Sequence, residues 1–313
     1  MAFLETFINV VTIVVLAVPG FVLRKSKLFS DKAASLLAVL LLYIAQPFLM
    51  MSSIFNKPFD PAMLARFAWV LGFAVALQLA VYFFAKLCFR SDRNEAAKRA
   101  AVASSYLGNV GFMGIPVMEM LFPGNDEMIL YTVVYNIAFN AMTWTLGVYA
   151  ITGEKKRINP LKVLLNPPTI AVIIALPFFF CNVAIPEAVA LPVRYLGDMT
   201  LPLSMIILGI RLADMHPLRL VADVRVYAVA AIKLIVSPLL SLGIMLLVDL
   251  VFPLDRFVVI ALFIIAAMPT ASSALNFAEM FGGDRETAAA STLMNTILCI
   301  VTIPLLMLLC ELI

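Results

Sequence analysis

Gly108-Asn109-Val110-Gly111-Phe112-Met113-Gly114-Ile115-Pro116 stands in the middle of an apolar segment long enough to cross a bilayer, and it breaks the helix expected there. Its glycines and proline remove helix propensity at bilayer depth. In lipid, the backbone N–H and C=O groups freed by such a break would have no partners. The break is tolerable only where protein or a watery cavity surrounds it, the arrangement in which secondary transporters place half-helix ends around a midplane site.

The rest of the chain fits a membrane setting. Hydrophobic residues make up 64% of it and charged residues 13%, and the mean hydropathy is +1.05, a composition foreign to soluble domains. The first segment, Phe3 to Leu23, has the length of a signal peptide, but its basic residues Arg24, Lys25 and Lys27 follow the apolar run instead of preceding it. It reads as a retained helix whose start faces outward. Cys88, Cys181, Cys299 and Cys310 lie in or at the ends of apolar segments with no metal-ligand spacing, so packing explains them. His216 is the only histidine and falls in a polar loop, which gives a metal site or a histidine-based triad no support.

Apolar runs of about 20 residues between polar breaks predict ten spans. They fall near 3–23, 33–54, 62–88, 95–122 (broken), 127–151, 162–183, 187–210, 222–249, 256–281 (broken) and 285–311, with loops too short for a separate soluble domain. Alternate connections carry the basic residues: Arg24, Lys25, Lys27 and Lys32; Arg90, Arg93, Lys98 and Arg99; Lys155, Lys156, Arg157 and Lys162; Arg211, Arg219 and Arg225; then Arg285. The intervening ones hold only Lys57, Arg66, Arg194 and Arg256. By the positive-inside rule both termini then lie on the non-cytoplasmic side. The net charge of +3 reflects this loop bias toward anionic headgroups of membrane lipids and points to no nucleic-acid partner.

The chain also repeats itself with a shift of about 155 residues, which lays Pro47 on Pro202, Gln78 on Lys233 and Asn140 on Asn295, and brings the Gly114–Pro116 region near Pro269. Residues 1–153 and 160–313 form two units of five helices each, and an odd number of crossings turns the second upside down relative to the first. The second break reads Met268-Pro269-Thr270-Ala271-Ser272-Ser273-Ala274-Leu275-Asn276. Where two broken helices cross, two half-helix ends carry partial positive and two partial negative character, and an anion suits the positive pair. Asn109, Ser104, Ser105, Thr270, Ser272, Ser273 and Asn276 would add hydrogen bonds there without a fixed charge.

Ser104 to Val117, read with Met268-Pro269-Thr270-Ala271, resembles the auxin efflux carrier family, which includes bacterial malonate and malate carriers and the plant PIN-type auxin exporters. The resemblance covers the whole chain, including Asn166-Pro167, Met199-Thr200-Leu201-Pro202-Leu203 and Thr302-Ile303-Pro304. It implies an all-α integral membrane fold like that of NhaA and the bile-acid symporters, with two crossed broken helices, the fourth and ninth spans. Spans 1, 2, 6 and 7 would form a scaffold and spans 3–5 and 8–10 a transport unit moving as an elevator. It also implies a bacterial inner-membrane location, a small organic anion as substrate and a possible homodimer. Where many bacterial members carry an asparagine about four residues after the second proline, this chain has Ser273, with Asn276 further on.

The expected substrate-binding set is therefore Asn109, Gly108, Ser105, Pro116, Pro269, Thr270, Ser272, Ser273, Asn276, Asn140 and Asn295, with Pro116 and Pro269 holding the breaks open. Lys233, mid-span, is costly enough to be a functional candidate, either for a substrate carboxylate or for a structural one. Glu119 and Glu279 follow the two breaks at similar distances and are candidate proton or sodium sites, although each lies near a helix end where water reaches it. Asp198, four residues after Arg194, reads first as an i,i+4 ion pair and second as a coupling carboxylate. Asn136, Asn140 and Asn295 either bridge helices or line the site. Nothing resembles GxxxxGK[ST], HExxH or GxSxG, so neither ATP use, an enzyme nor a cofactor is expected beyond a coupling ion, proton or sodium. A sodium-coupled symporter of the bile-acid type is the nearest alternative, and an ion channel a more distant one.

Overall fold

The computed structural model describes residues 3–215 and 222–310, so the readings placed on His216 and Arg219 and the far end of the last span lie outside the described residues. Helices account for the fold. They are α1 (Phe3–Lys25), α2 (Ala33–Ser52), α3 (Met63–Cys88), α4 (Glu95–Tyr106), α5 (Val110–Leu121), α6 (126–152), α7 (Pro167–Phe180), α8 (Glu187–Asp214), α9 (Val224–Asp249), α10 (Arg256–Ala266), α11 (Ser272–Phe281) and α12 (Arg285–Cys310). Among the described residues six of these, α1, α2, α3, α8, α9 and α12, are long and apolar enough to cross a bilayer. Exposed Leu4, Ile8, Val15, Val22, Leu246 and Leu247 on their outer faces suit contact with lipid.

Local chemistry sets the helix ends. Asn94, Asn125, Asn166 and Asp255 each accept a hydrogen bond from a backbone N–H of the first turn that follows, satisfying donors a helix start leaves orphaned. At Asn166 the two prolines that follow force extended backbone (ψ 144°), so α7 begins at Pro167 and the short turn Pro160–Leu164 is a separate piece. The predicted sixth span thus divides in two.

The two interrupted segments solve each other's backbone problem. α4 ends at Tyr106 and α5 starts at Val110; α10 ends at Ala266 and α11 starts at Ser272. Between them Asn109 N–H donates to the Pro269 carbonyl (2.7 Å) and Ala271 N–H to the Leu107 carbonyl (2.8 Å), on either side of a bridge between Gly108 and Thr270. Left unpaired in a buried setting, each such group would cost about 1–3 kcal/mol. The first interruption lies at Leu107–Asn109, earlier than the Gly114–Pro116 end of the motif. The chain passes Gly111 and Gly114 in a wide π-turn, Val110–Gly114, and Pro116 follows inside the same helix α5, directly after that widened turn. Pro116 therefore does not hold the break open.

Packing links the two halves of the chain, with α1 lying along both α8 and α12. α1 crosses α8 backbone to backbone, because a Cβ on Gly20 would overlap the Ile206 carbonyl and one on Gly209 the Ala17 carbonyl. α2 packs on α7 and on the first half of α8. The largest core gathers α3, α4, α5, α6, α9, α10 and α12 around Leu77, Tyr131, Phe263 and Met268, and Val10 and Ile13 of α1 and Met205 and Leu208 of α8 join it. Ion pairs sit at the helix ends: Lys57–Asp126 (2.5 Å) and Arg66–Glu127 (3.3 Å) at one, Arg24–Asp31 (2.6 Å) and Arg225–Asp92 at the other.

Candidate functional site

The four half-helix ends at the interruptions meet different surroundings. The C-terminal ends of α4 and α10 are closed by side chains. Thr270 Oγ1 donates to the Ser104 carbonyl (2.7 Å) and accepts from Asn295 Nδ2 (2.5 Å). Lys233 Nζ donates to the Ala266 carbonyl at 2.9 Å, and Ser237 Oγ donates to the same oxygen at 3.3 Å. A cation at a helix C-terminus complements the negative end of its dipole. Gly108 permits this, since a Cβ there would stand 3.0 Å from Lys233 Nζ.

The N-terminal ends of α5 and α11 open instead onto a cavity of about 180 Å³. Gly111 and Phe112 of α5, with Ala271 and Ser273 at the start of α11, form part of its wall. Gly111 leaves room for neighbouring carboxamides: a Cβ there would lie 2.6 Å from Gln46 Nε2 and 3.1 Å from Asn136 Oδ1 and would push these side chains aside. Around these ends stand the carboxamides of Gln46, Asn109, Asn140, Asn166 and Asn276 and the hydroxyls of Ser273 and Thr143. Phe112, Phe139, Trp144 and Phe277 supply the apolar wall, Trp144 and Phe277 with ring centres 5.0 Å apart. Carboxamides, hydroxyls and the partial positive charge of two helix starts can hold an anionic group without a buried counter-charge. The cavity's size restricts it to a small ligand.

Of the residues expected to bind substrate, the structure brings Asn109, Asn140, Ser273 and Asn276 together at this cavity. Asn109 is 5% exposed, with its backbone committed to Pro269 and its side chain in the wall. The others stand elsewhere. Ser105 donates to the Ala101 carbonyl, Thr270 and Asn295 tie α4, α11 and α12 together behind the break, Gly108 and Pro269 lend their backbone to the paired interruption, and Ser272 opens α11. Asn136 donates to Met50 Sδ at 3.1 Å, bridging α6 and α2.

The charged candidates are likewise outside the cavity. Lys233 is buried on the far side of the break, beside a small void shared with Gln78 and Tyr106, so the two repeat-related positions Gln78 and Lys233 meet there. Glu119 is exposed on α5. Glu279 lies 3.6 Å from Arg211. The i,i+4 pair read for Asp198 does not form: Arg194 faces Glu187, two turns earlier on the same side of α8, at 3.9 Å, and Asp198 is exposed.

Sequence reasoning passed over Gln46, Thr143 and Asn166 in the cavity wall, and Arg211 behind it. Gln46 was visible as a lone carboxamide inside an apolar run; Asn166 was read only as a helix opener; Arg211 was counted only as a loop charge. Arg211 Nη2 in fact donates to Asn276 Oδ1 at 3.0 Å.

A mostly apolar cavity with a few convergent carboxamides and hydroxyls at two helix starts, in a chain with six helices long and apolar enough to cross a bilayer among the described residues, defines a multi-pass membrane protein of the transporter kind. The chain belongs to the membrane transport protein family, that of the auxin efflux carriers its motifs resemble, whose model matches residues 5–161 and 154–307. It is 26% identical to an uncharacterised transporter of Methanothermobacter thermautotrophicus, across 97% of this chain and 98% of that one. It is 23% identical, across 87% of this chain and 85% of that one, to a Rhizobium meliloti protein provisionally named a malonate transporter.

Proposed function

We propose that this chain is a secondary active carrier of a small organic anion, a mono- or dicarboxylate of the malonate kind. The observation that carries the reading is the convergence of four side chains from the two interrupted segments and α6 (Asn109, Ser273, Asn276 and Asn140) with the N-terminal ends of α5 and α11 on one small cavity. A carboxylate needs donors on both oxygens, and amide N–H groups with helix-start N–H groups supply them. The name of the Rhizobium meliloti relative supports malonate as the probe.

In this reading the ten predicted spans form two inverted units, with α4/α5 and α10/α11 as the crossed pair. α3–α6 and α9–α12 carry the cavity past α1, α2, α7 and α8, which hold the opposite wall through Gln46 and Asn166. The basic loops mark the cytoplasmic side. Glu119 and Glu279, outside the cavity, are the candidates for coupling to protons or sodium.

Asn109→Ala tests the assignment. Uptake of labelled malonate by proteoliposomes should fall about tenfold, the worth of one hydrogen bond to a charged ligand, with the protein still folded by its thermal transition. Uptake equal to that of the unaltered protein would sink it.

A further inference from the structure

α11 separates two cavities. Ser273, Asn276 and Phe277 face the inner one. Leu275 and Glu279 face a wider hollow of about 720 Å³, walled also by Asp31, Asp223, Arg225 and Arg285 at the end of the bundle that bears the basic loops. Arg211, in the last turn of α8, belongs to the wall of that hollow and reaches Asn276 of α11, a residue of the inner cavity's wall. Its side chain is 14% exposed. Nη2 donates to Asn276 Oδ1 at 3.0 Å and lies 3.6 Å from Glu279 Oε2, while Nη1 is buried with no hydrogen-bond partner among the described residues.

A guanidinium carries five donors and no acceptor. The carboxamide of Asn276 must therefore turn its oxygen toward Arg211, and the N–H pair of Nδ2 is what remains for the inner cavity. A free carboxamide can rotate and offer either end, so it greets a neutral amide and a carboxylate alike. One whose oxygen is held by a cation can only donate, and the hydrogen bond from a charged donor strengthens that donation along the chain.

We propose that Arg211 is the positioning residue that fixes Asn276 as a hydrogen-bond donor and so makes the inner cavity select carboxylates over neutral ligands of the same shape. The inference rests on the carboxylate reading above and adds the device behind it. Glu279, beside the guanidinium on the hollow side, balances its charge outside the cavity and leaves the selectivity to the oriented amide.

Binding of malonate and of its neutral isostere malonamide to the purified full chain provides the test, with thermal stability recorded for each variant. Arg211→Met should lower malonate affinity about tenfold, the worth of one charge-assisted bond, and leave malonamide affinity unchanged or higher, so that the preference between the two collapses. Arg211→Lys, which keeps a donor for Oδ1, should restore most of that preference. Asn276→Asp keeps a partner for Arg211 but presents oxygen to the cavity, and should abolish malonate binding in a protein that still folds. An Arg211→Met protein with the original preference would overturn the role of Arg211 and leave the carboxylate reading standing. Equal loss of both ligands with a lowered melting temperature would make Arg211 a structural residue and overturn it too. If the unaltered protein binds malonamide as well as malonate, or neither, the carboxylate reading fails and the inference falls with it.

Discussion

Asn140 and Asn295 occupy equivalent places about 155 residues apart, but they face different surroundings. Asn140 lines the inner cavity. Asn295 is fully buried behind the break and spends its Nδ2 on Thr270 Oγ1, which in turn reaches the carbonyl of Ser104. The same residue type at the two positions thus lines a cavity in one case and braces the paired interruption in the other, because the cavity of about 180 Å³ lies on Asn140's side of the interruption. Asn295→Ala should cost about 1–3 kcal/mol of stability, the penalty for a buried partner left unsatisfied, and lower the thermal transition. Asn140→Ala should leave the transition in place and reduce the extra stabilisation that malonate confers by mass action. Thermal unfolding with and without malonate checks both. If the two variants behaved alike, the division between a ligand-facing and a structure-facing asparagine would be wrong.

At the scale of elements, the junction of the α3–α4 loop with the start of α9 is tied by charge. Arg225 donates to Asp92 through Nε and, at 3.0 Å, through Nη2, and also contacts Asp223 at 3.3 Å. The hydrogen bond from Arg225 holds the Asp92 carboxyl below its ordinary 3.8, at about 2. A carboxyl depressed in the folded state contributes stability that is present above its unfolded value and is lost as pH falls through its folded one. The thermal transition should therefore decline between about pH 4 and about pH 2, and Asp92→Asn should shrink that decline while lowering stability at neutral pH. An undiminished decline in the variant would show that Asp92 does not contribute to it. Most of the elements were legible in the sequence, because Gly and Pro at bilayer depth and Asn or Asp before an apolar run are local signals. The position of the first interruption was not: Pro116 is the stronger local breaker, but backbone pairing of Asn109 with Pro269 and of Leu107 with Ala271 places the gap at Leu107–Asn109. Arg211 was hidden for a similar reason. A basic residue in a last helical turn reads as a dipole or loop charge, and only the approach of α11 gives it Asn276.

Across the whole molecule, carriage of the cavity past a fixed wall requires that bonds within one helix group persist while bonds between groups exchange. The loop after α2 offers both kinds side by side. Asn56 accepts from Ile185 N–H (2.8 Å) and Phe59 accepts from Asn182 Nδ2 (3.0 Å), which ties α2 to the α7–α8 connection within the proposed scaffold. One residue on from Asn56, Lys57 pairs with Asp126 (2.5 Å), the first residue of α6 in the proposed transport group. Both sites lie at the same end of the bundle, so a short thiol cross-linker has equal access to them. In a background freed of Cys88, Cys181, Cys299 and Cys310, Asn56→Cys with Ile185→Cys should cross-link without slowing malonate uptake, whereas Lys57→Cys with Asp126→Cys should stop uptake on cross-linking and recover when the link is cleaved. Uptake that survives a complete 57–126 link would refute movement between the groups. Arrest by the 56–185 link would mean that the boundary between fixed and moving helices runs through α2 and α7 instead.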